Sequence, residues 1–241
     1  MLMEHFGGAG HSLEIVKHLS PQGRLIGIDR DEEALAAAKK KLQEYSNVTY
    51  VHDNHDHIRA ILEGLSITEV DGILLDLGVS SYQLEEETRG FSYMHDATLD
   101  MRMDQTQTLT AWNVVNEYKE EELARILYEY GEEKFSKRIA RNIVTKREIK
   151  PIQTTKELVT IIEESLPGYA RQKEGHPAKR TFQAIRIEVN NEIKPLENTI
   201  KDVILCLKPK GRLCVITFHS LEDRAVKNVY TEMERKMYVS S

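Results

Sequence analysis

A glycine-rich turn and an acidic residue near the start of the chain could together hold a nucleotide-like ligand. The turn reads GGAGHS at residues 7–12, and a short helical pattern follows it. Glycines let the backbone turn sharply, and the first turn of a helix offers amides to a ligand. Asp29 ends the next apolar run, 19 residues after Gly10, where nucleotide-binding α/β folds place a carboxylate against ribose hydroxyls. The spacing predicts a ribose on Asp29, although such a turn alone is also common as a structural feature.

The spacing of the glycines bears on which ligand that is. Nicotinamide dinucleotides and S-adenosylmethionine both carry a ribose that an acid at this position can bind. Dehydrogenases prefer G-x-G-x-x-G, which cradles a pyrophosphate, whereas this chain has G-G-x-G followed by His11. S-adenosylmethionine has no phosphate, so the sequence favours it over a dinucleotide.

Asp76 is a second acid at the end of an apolar run. It follows Ile73-Leu74-Leu75, and ligands of open α/β sheets bind at the carboxyl ends of strands. A carboxylate buried there without partners is costly. We predict a functional role for Asp76, with a helix-capping or turn role as the alternative.

The elements that position these residues alternate between strand and helix. Apolar runs at residues 23–29, 48–53, 70–78 and 211–219 predict strands, and residues 31–45 predict a helix. Such alternation indicates a doubly wound parallel sheet. From about residue 108 to 167 only helical patterns occur. The predicted fold is one α/β domain in two parts, residues 1–105 and 184–241, with an all-helical insertion at residues 106–183.

The insertion contains a segment that concentrates cations on one helix face. Lys134, Lys137, Arg138 and Arg141 follow one another at i, i+3, i+4 and i+7. A solvated charged face is one reading. Like charges at these spacings repel, and phosphates would neutralise that repulsion, so a nucleic-acid contact is the other.

The overall composition sets broader limits. The net charge is −6, which argues against nonspecific coating of nucleic acid but not against a local basic patch. No apolar run has the length of a membrane span, and no secretory signal begins the chain. Two cysteines, in apolar contexts, predict free thiols and a cytoplasmic protein. No metal site is predicted.

Seven motifs in this chain resemble those of the ribosomal RNA small subunit methyltransferase H family (MraW-like), which makes N4-methylcytidine in small-subunit (16S) ribosomal RNA. They cover nearly the whole chain in the family's order. They are GGAGHS at 7–12, IDRD at 28–31, ILLDLGVSSYQL at 73–84, RGFSYMHDATLDMRMD at 89–104, YGEEKFSKRIARNIV at 130–144, HPAKRTFQAIRIEVNNE at 176–192 and FHSLEDRAVK at 218–227.

The resemblance implies a Rossmann-like methyltransferase sheet, S-adenosylmethionine as cofactor and a role for each site residue. Ala9, Gly10 and His11 would contact the methionine part, and Asp29 the ribose. Asp76 and Gln83 would complete the pocket. His55 stands where the family usually has Phe, and its smaller ring predicts weaker stacking on adenine.

Catalysis and RNA binding are expected from further residues. Asp76 is the first candidate to accept a hydrogen bond from the cytidine amine, Asp100 and Asp104 are weaker ones, and His219 could relay a proton. The proposed RNA contacts, each with a surface ion pair as the alternative, are Arg102, Arg138, Arg141 and Arg180. The expected partner is small-subunit ribosomal RNA within the assembled small subunit.

Two departures from the family lead to a further expectation. The family has a strand before its glycine-rich turn and more strands after the FHSLEDR helix. The sequence therefore predicts a chain truncated at both ends, without its first central strand. The alternatives are a catalytically impaired RNA-binding remnant of the family, or a methyltransferase that acts on a non-RNA substrate.

Overall fold

The computed structural model describes residues 1–4, 9–171 and 175–239. It contains a five-stranded sheet in which all the paired neighbours are parallel, in the order β3-β2-β1-β4-β5. A crossover connection joins each strand to the next one along the chain, as parallel pairing requires. The strands are β1 (Leu2–Glu4), β2 (Leu25–Asp29), β3 (Val48–His52), β4 (Val70–Asp76) and β5 (Leu207–Ile216).

The prediction that the first central strand is missing was wrong. β1 lies between β2 and β4, with Leu2 opposite Ile26 on one side and Ile73 on the other. Three residues suffice to pair with both neighbouring strands, whose backbone groups would otherwise lack partners at the centre of the sheet. The strand was overlooked because three residues are too few to show an apolar run or an alternation.

Helices cover both faces of the sheet, which confirms the doubly wound α/β fold. Residues of β4 alternate between two apolar clusters: Ile73 and Leu75 lie in one, and Leu74 in the other, because successive strand side chains point to opposite faces. Helices α3 (Ile58–Gly64), α11 (Leu196–Leu205) and α12 (Ser220–Val239) contribute to the first cluster, and α1 (Gly10–His18) and α2 (Glu32–Lys41) to the second.

The chain divides into two compact units. The α/β unit comprises Met1–Tyr82 and Glu192–Ser241, and the helical unit comprises Gln83–Asn191. The helical unit contains α5 (Ala111–Glu117), α6 (Glu120–Glu129), α7 (Ser136–Ile149), α8 (Thr155–Ser165), α9 (Gly168–Arg171) and α10 (Lys179–Asn190), and α4 (Ser81–Glu85) spans its first boundary.

The helical unit is wider than the insertion expected at residues 106–183. Asn190 explains part of the difference: its side chain accepts from the Met103 N–H at 2.8 Å and donates to the Met101 carbonyl at 2.7 Å. These bonds tie an irregular segment before residue 106 to the end of α10. Such long-range pairings leave no periodic pattern in the sequence. None of the described helices combines the length and apolar character needed to cross a membrane.

Candidate active site

The glycine-rich turn ends in a backbone conformation that leaves the start of α1 open. Ala9 adopts a left-handed conformation with φ 52°, and its side chain makes no capping hydrogen bond to α1. Among the residues that the structure describes, none has an atom within 4 Å of a Cβ placed on Gly10. An extended ligand could therefore approach the first turn of α1 closely. Gly7 and Gly8, which begin the predicted motif, lie outside the described residues.

Asp29 is held at the carboxyl end of β2. Asp29 is only 3% exposed, and its Oδ1 accepts a hydrogen bond from the backbone N–H of Asp31 at 2.9 Å. The Asp29 carbonyl accepts the N–H of Asp53 at 3.2 Å, which joins the ends of β2 and β3. The carboxylate is thus fixed in orientation before any ligand arrives.

A cavity opens over these strand ends. His55 is buried beside it, in a short 3-10 helix, His55–His57, which the Asn54 side chain caps through the Asp56 N–H. His55 therefore lines the same cavity as Asp29, and its predicted contact with adenine stays a prediction. The lining residues are Ile28, Asp29, Arg30, Asp53, Asn54, His55, Leu77, Gly78, Glu192, Leu196 and Glu222.

The end of β4 brings the second predicted acid to the glycine-rich turn. Asp76 is the last residue of β4, and its Oδ2 lies 3.8 Å from Nε2 of His11 in the first turn of α1. The two side chains form an ion pair only when His11 is protonated. Residues 65 positions apart in the chain (76 − 11) thus meet, as the parallel sheet requires.

Gln83, the remaining predicted pocket residue, has a different setting. It is fully buried in α4 and belongs to the helical unit. Its predicted part in the cofactor pocket stays a prediction.

Three acids of the cavity lining, Asp53, Glu192 and Glu222, were not assigned to the pocket from the sequence. Glu192 lies two residues after the end of α10, and Glu222 lies in the first turn of α12. Glu222 Oε2 accepts the Phe218 N–H at 2.8 Å. Neither Glu192 nor Glu222 belongs to a periodic pattern that marks a binding residue. Only their place in the NNE and HSLEDR motifs could have marked them.

Three of the four predicted cations lie on an exposed face of α7. Lys137, Arg138 and Arg141 belong to this helix, whereas Lys134 precedes it, because α7 begins at Ser136. All four are exposed, while Ile139 and Ile143 of α7 are fully buried. The Arg141 side chain is 74% exposed, and its Nε lies 3.5 Å from Glu120 Oε1. Such an exposed ion pair contributes little stability. Arg141 could therefore leave Glu120 and pair with a phosphate instead.

The other two predicted RNA-contacting arginines make internal contacts. Arg180 Nη1 donates to the Glu132 carbonyl at 3.0 Å. Arg102 donates to both Asp100 oxygens, at 2.9 and 2.8 Å, and to the carbonyls of Gln105 and Gln107. The Arg102 guanidinium therefore organises its own loop.

The contacts of Arg102 lower the pKa of the Asp100 carboxyl. Burial acts to raise the pKa of Asp100, but the hydrogen bonds and charge of Arg102 outweigh it and hold that pKa below the usual value. Asp100 is therefore fully ionised at neutral pH and already engaged, which weakens it further as a candidate proton acceptor.

The strand order, the turn before α1 and the acids at the strand ends define a Rossmann-like α/β domain with a cavity over its strand ends. A sequence profile of the MraW methylase family matches residues 3–241. The chain belongs to that family and is therefore a methyltransferase.

Close relatives agree with this assignment. The chain is 60% identical over 229 residues to a protein of Clostridium botulinum (strain Kyoto / Type A2) named ribosomal RNA small subunit methyltransferase H, covering 95% of this chain and 74% of that protein. A protein of the same name from strain 657 matches equally, and one from strain Okra is 59% identical, with the same coverages.

A solved putative rRNA-methylase from Clostridium thermocellum aligns with 33% of this chain and 43% of its own, at 20% identity and a TM-score of 0.29.

Proposed function

We propose that this methyltransferase uses S-adenosylmethionine to methylate N4 of a cytidine in small-subunit ribosomal RNA. The observation that supports this cofactor is that three features meet at the carboxyl ends of the strands. They are the turn at Ala9 and Gly10, the buried Asp29 carboxylate, and the approach of His11 to Asp76. The relatives' shared name supports the RNA substrate.

The residues present fit this cofactor. The left-handed Ala9 and the open space at Gly10 suit a carboxylate at the first turn of α1. Asp29 would accept hydrogen bonds from both ribose hydroxyls, and the acid would disfavour a 2′-phosphate. Leu77 and His55 supply apolar and aromatic surface to the cavity. When bound, S-adenosylmethionine supplies an electrophilic methyl group on a sulfonium.

The chain's own contribution to chemistry concerns the amine of the target base. The N4 lone pair is delocalised into the ring, so the amine is a poor nucleophile. A carboxylate that accepts a hydrogen bond from it favours a tetrahedral nitrogen, and fixed positioning raises its effective concentration. Asp76 is our candidate for this acceptor, because it is the acid at the end of β4 and its side chain retains 18% exposure.

RNA binding is assigned to the helical unit. Arg138 and Arg141 of α7 are exposed and would contact phosphates, which position a strand without specifying its sequence. Arg180 would add to this surface at the cost of one carbonyl contact. Arg102 is a weaker candidate than these three, since its guanidinium already makes four hydrogen bonds, two to the Asp100 carboxylate and one each to the carbonyls of Gln105 and Gln107.

Methylation of isolated small subunits tests the proposal. Subunits from a strain that lacks this methylation would be incubated with the chain and radiolabelled S-adenosylmethionine, and the RNA digested to nucleosides. Label in N4-methylcytidine is expected. Label in protein or in another nucleoside would refute the proposal that cytidine N4 is the target. Calorimetric titration of the cofactor separates binding from turnover: binding without label would indicate an impaired RNA-binding remnant.

A further inference from the structure

We propose that the α/β unit binds a divalent transition-metal ion between Glu192, His219 and Glu222. Each of the three side chains offers one donor atom, and these atoms all lie within 4.8 Å of one another. No metal site is predicted from the sequence, because the three residues come from two distant motifs. The tertiary structure brings Glu192, at the entry to α11, to the beginning of α12.

Burial makes this cluster unlike the acidic patches common on protein surfaces. The side chains of His219 and Glu222 are 8% and 2% exposed, and Glu192 is also buried. Two carboxylates close together in a buried site repel each other, and each loses hydration. A divalent cation bound between the two carboxylates would offset both costs.

The contact between His219 and Glu222 has the distance of two ligands on one metal. His219 Nε2 lies 3.1 Å from Glu222 Oε1, yet this nitrogen is buried and makes no hydrogen bond of acceptable geometry. Two donors that are each about 2.1 Å from one ion, at octahedral or tetrahedral angles, lie about 3.0–3.4 Å apart. The buried nitrogen therefore points into the cluster as a ligand would.

A helix cap accounts for only part of the arrangement. Glu222 Oε2 accepts the Phe218 N–H at 2.8 Å, as a capping acid does, and this leaves Oε1 on the side of His219. The Glu222 N–H lies 3.5 Å from His219 Nδ1, too long to fix which ring nitrogen carries the proton. Glu192 adds a third buried ionisable side chain at the same point.

The donor set indicates the class of metal. One imidazole nitrogen and two carboxylate oxygens suit Mn²⁺, Fe²⁺ or Zn²⁺, whereas Mg²⁺ and Ca²⁺ prefer oxygen-only ligands. Three protein ligands leave positions for water. The ion would connect the entry of α11 to the start of α12, beside the cofactor cavity that Glu192 and Glu222 line. This inference concerns binding and does not depend on the proposed substrate.

Metal titration of the whole chain tests the site. After treatment with a chelator and removal of the chelator, the protein would be titrated with Mn²⁺ followed by electron paramagnetic resonance, and with Zn²⁺ by calorimetry. We expect one ion per chain, a rise in melting temperature on loading, and weaker binding of Mg²⁺ and Ca²⁺. The variants Glu192→Gln and His219→Gln should each weaken Mn²⁺ binding by about tenfold or more and abolish the melting shift.

The matched control is His95→Gln. His95 also lies close to a carboxylate, with Nδ1 3.3 Å from Glu87 Oε1, but in an exposed pair of the helical unit. This variant should bind Mn²⁺ like the unmodified chain. Circular dichroism identifies any variant that fails to fold, and Glu222→Gln then provides a further removal of one ligand. Absence of binding by the unmodified chain at about millimolar Mn²⁺, or equal binding by all variants, would overturn the inference.

Discussion

The two units present functional side chains in opposite ways. In the α/β unit the predicted cofactor residues are few, and they follow different strands. Asp29 ends β2, Asp76 ends β4, and His11 begins α1. In the helical unit the predicted RNA residues Arg138 and Arg141 lie on one exposed helix face. A parallel sheet gathers distant residues at one edge, whereas a helix displays near neighbours in a row.

The electrostatic environments also differ. The α/β unit buries acids, among them Asp29 and Glu222, at 3% and 1% exposure. The helical unit exposes cations along α7. The net charge of −6 is the sum over the whole chain and does not show this difference between the two units. The comparison predicts that changes in one unit affect cofactor binding while changes in the other affect RNA binding.

The largest effect is expected from Asp29→Ala. Loss of a charged acceptor for ribose hydroxyls should weaken S-adenosylmethionine binding by about 30- to 100-fold, measured by calorimetry. RNA affinity should stay within about twofold. The control is Asp31→Asn, at a buried acid two residues further on that caps α2, because asparagine caps a helix as well as aspartate does. A loss of RNA binding in Asp29→Ala would break the division between the units.

The converse change is the double substitution Arg138→Glu and Arg141→Glu. It should weaken RNA binding by about tenfold and reduce the slope of log affinity against log salt by about 1–2. Cofactor affinity should not change. Lys156→Glu, at an exposed position of α8, controls for the reversal of charge. If the double variant binds RNA as the unmodified chain does, α7 is only a solvated face.

A smaller effect is expected from Asp100→Asn, on stability. Because Arg102 holds the pKa of Asp100 below that of an unfolded chain, the ionised pair stabilises the fold at pH above about 4, and this contribution disappears as the pH falls through the folded pKa. The variant should lose about 1–2 kcal/mol of unfolding free energy at neutral pH. The difference from the unmodified chain should shrink in acid. Asp96→Asn, at an exposed acid of the same segment, should change neither the unfolding free energy at neutral pH nor its dependence on pH.

The smallest effect is expected from Tyr118→Phe. Burial, together with the hydrogen bond that its hydroxyl donates to Glu188 Oε1 at 2.9 Å, raises the pKa of Tyr118 to about 12. The variant should lose about 0.5–1.5 kcal/mol of stability. That contribution is complete below about pH 10 and declines as the pH rises through 12. The ultraviolet difference between the two proteins should show one tyrosine that titrates near pH 12; a titration near 10 would contradict the contact.

Much of the fold could be read from patterns that repeat. Apolar runs located β2, β3, β4 and β5 to within a few residues, and the predicted helix at 31–45 contains α2 (Glu32–Lys41). The amphipathic period of α7 correctly separated Ile139 and Ile143 from the cations. Such patterns are visible because each buried face recurs at a fixed interval. β1 was missed because an interval cannot be seen in three residues.

Less of the candidate site than of the fold could be predicted from the sequence, for a physical reason. Residue type and spacing marked Asp29, Asp76 and the glycine-rich turn as binding residues, because strand ends and helix starts are local features. The partners of those residues are not local. The approach of His11 to Asp76, the engagement of Arg102 by Asp100, and the cluster of Glu192 with His219 and Glu222 depend on which segments the sheet and helices bring together. The sequence alone determined the periodic elements and the chemical types available at their ends. The tertiary structure decided which of these side chains meet, since contacts between distant segments have no fixed spacing along the chain.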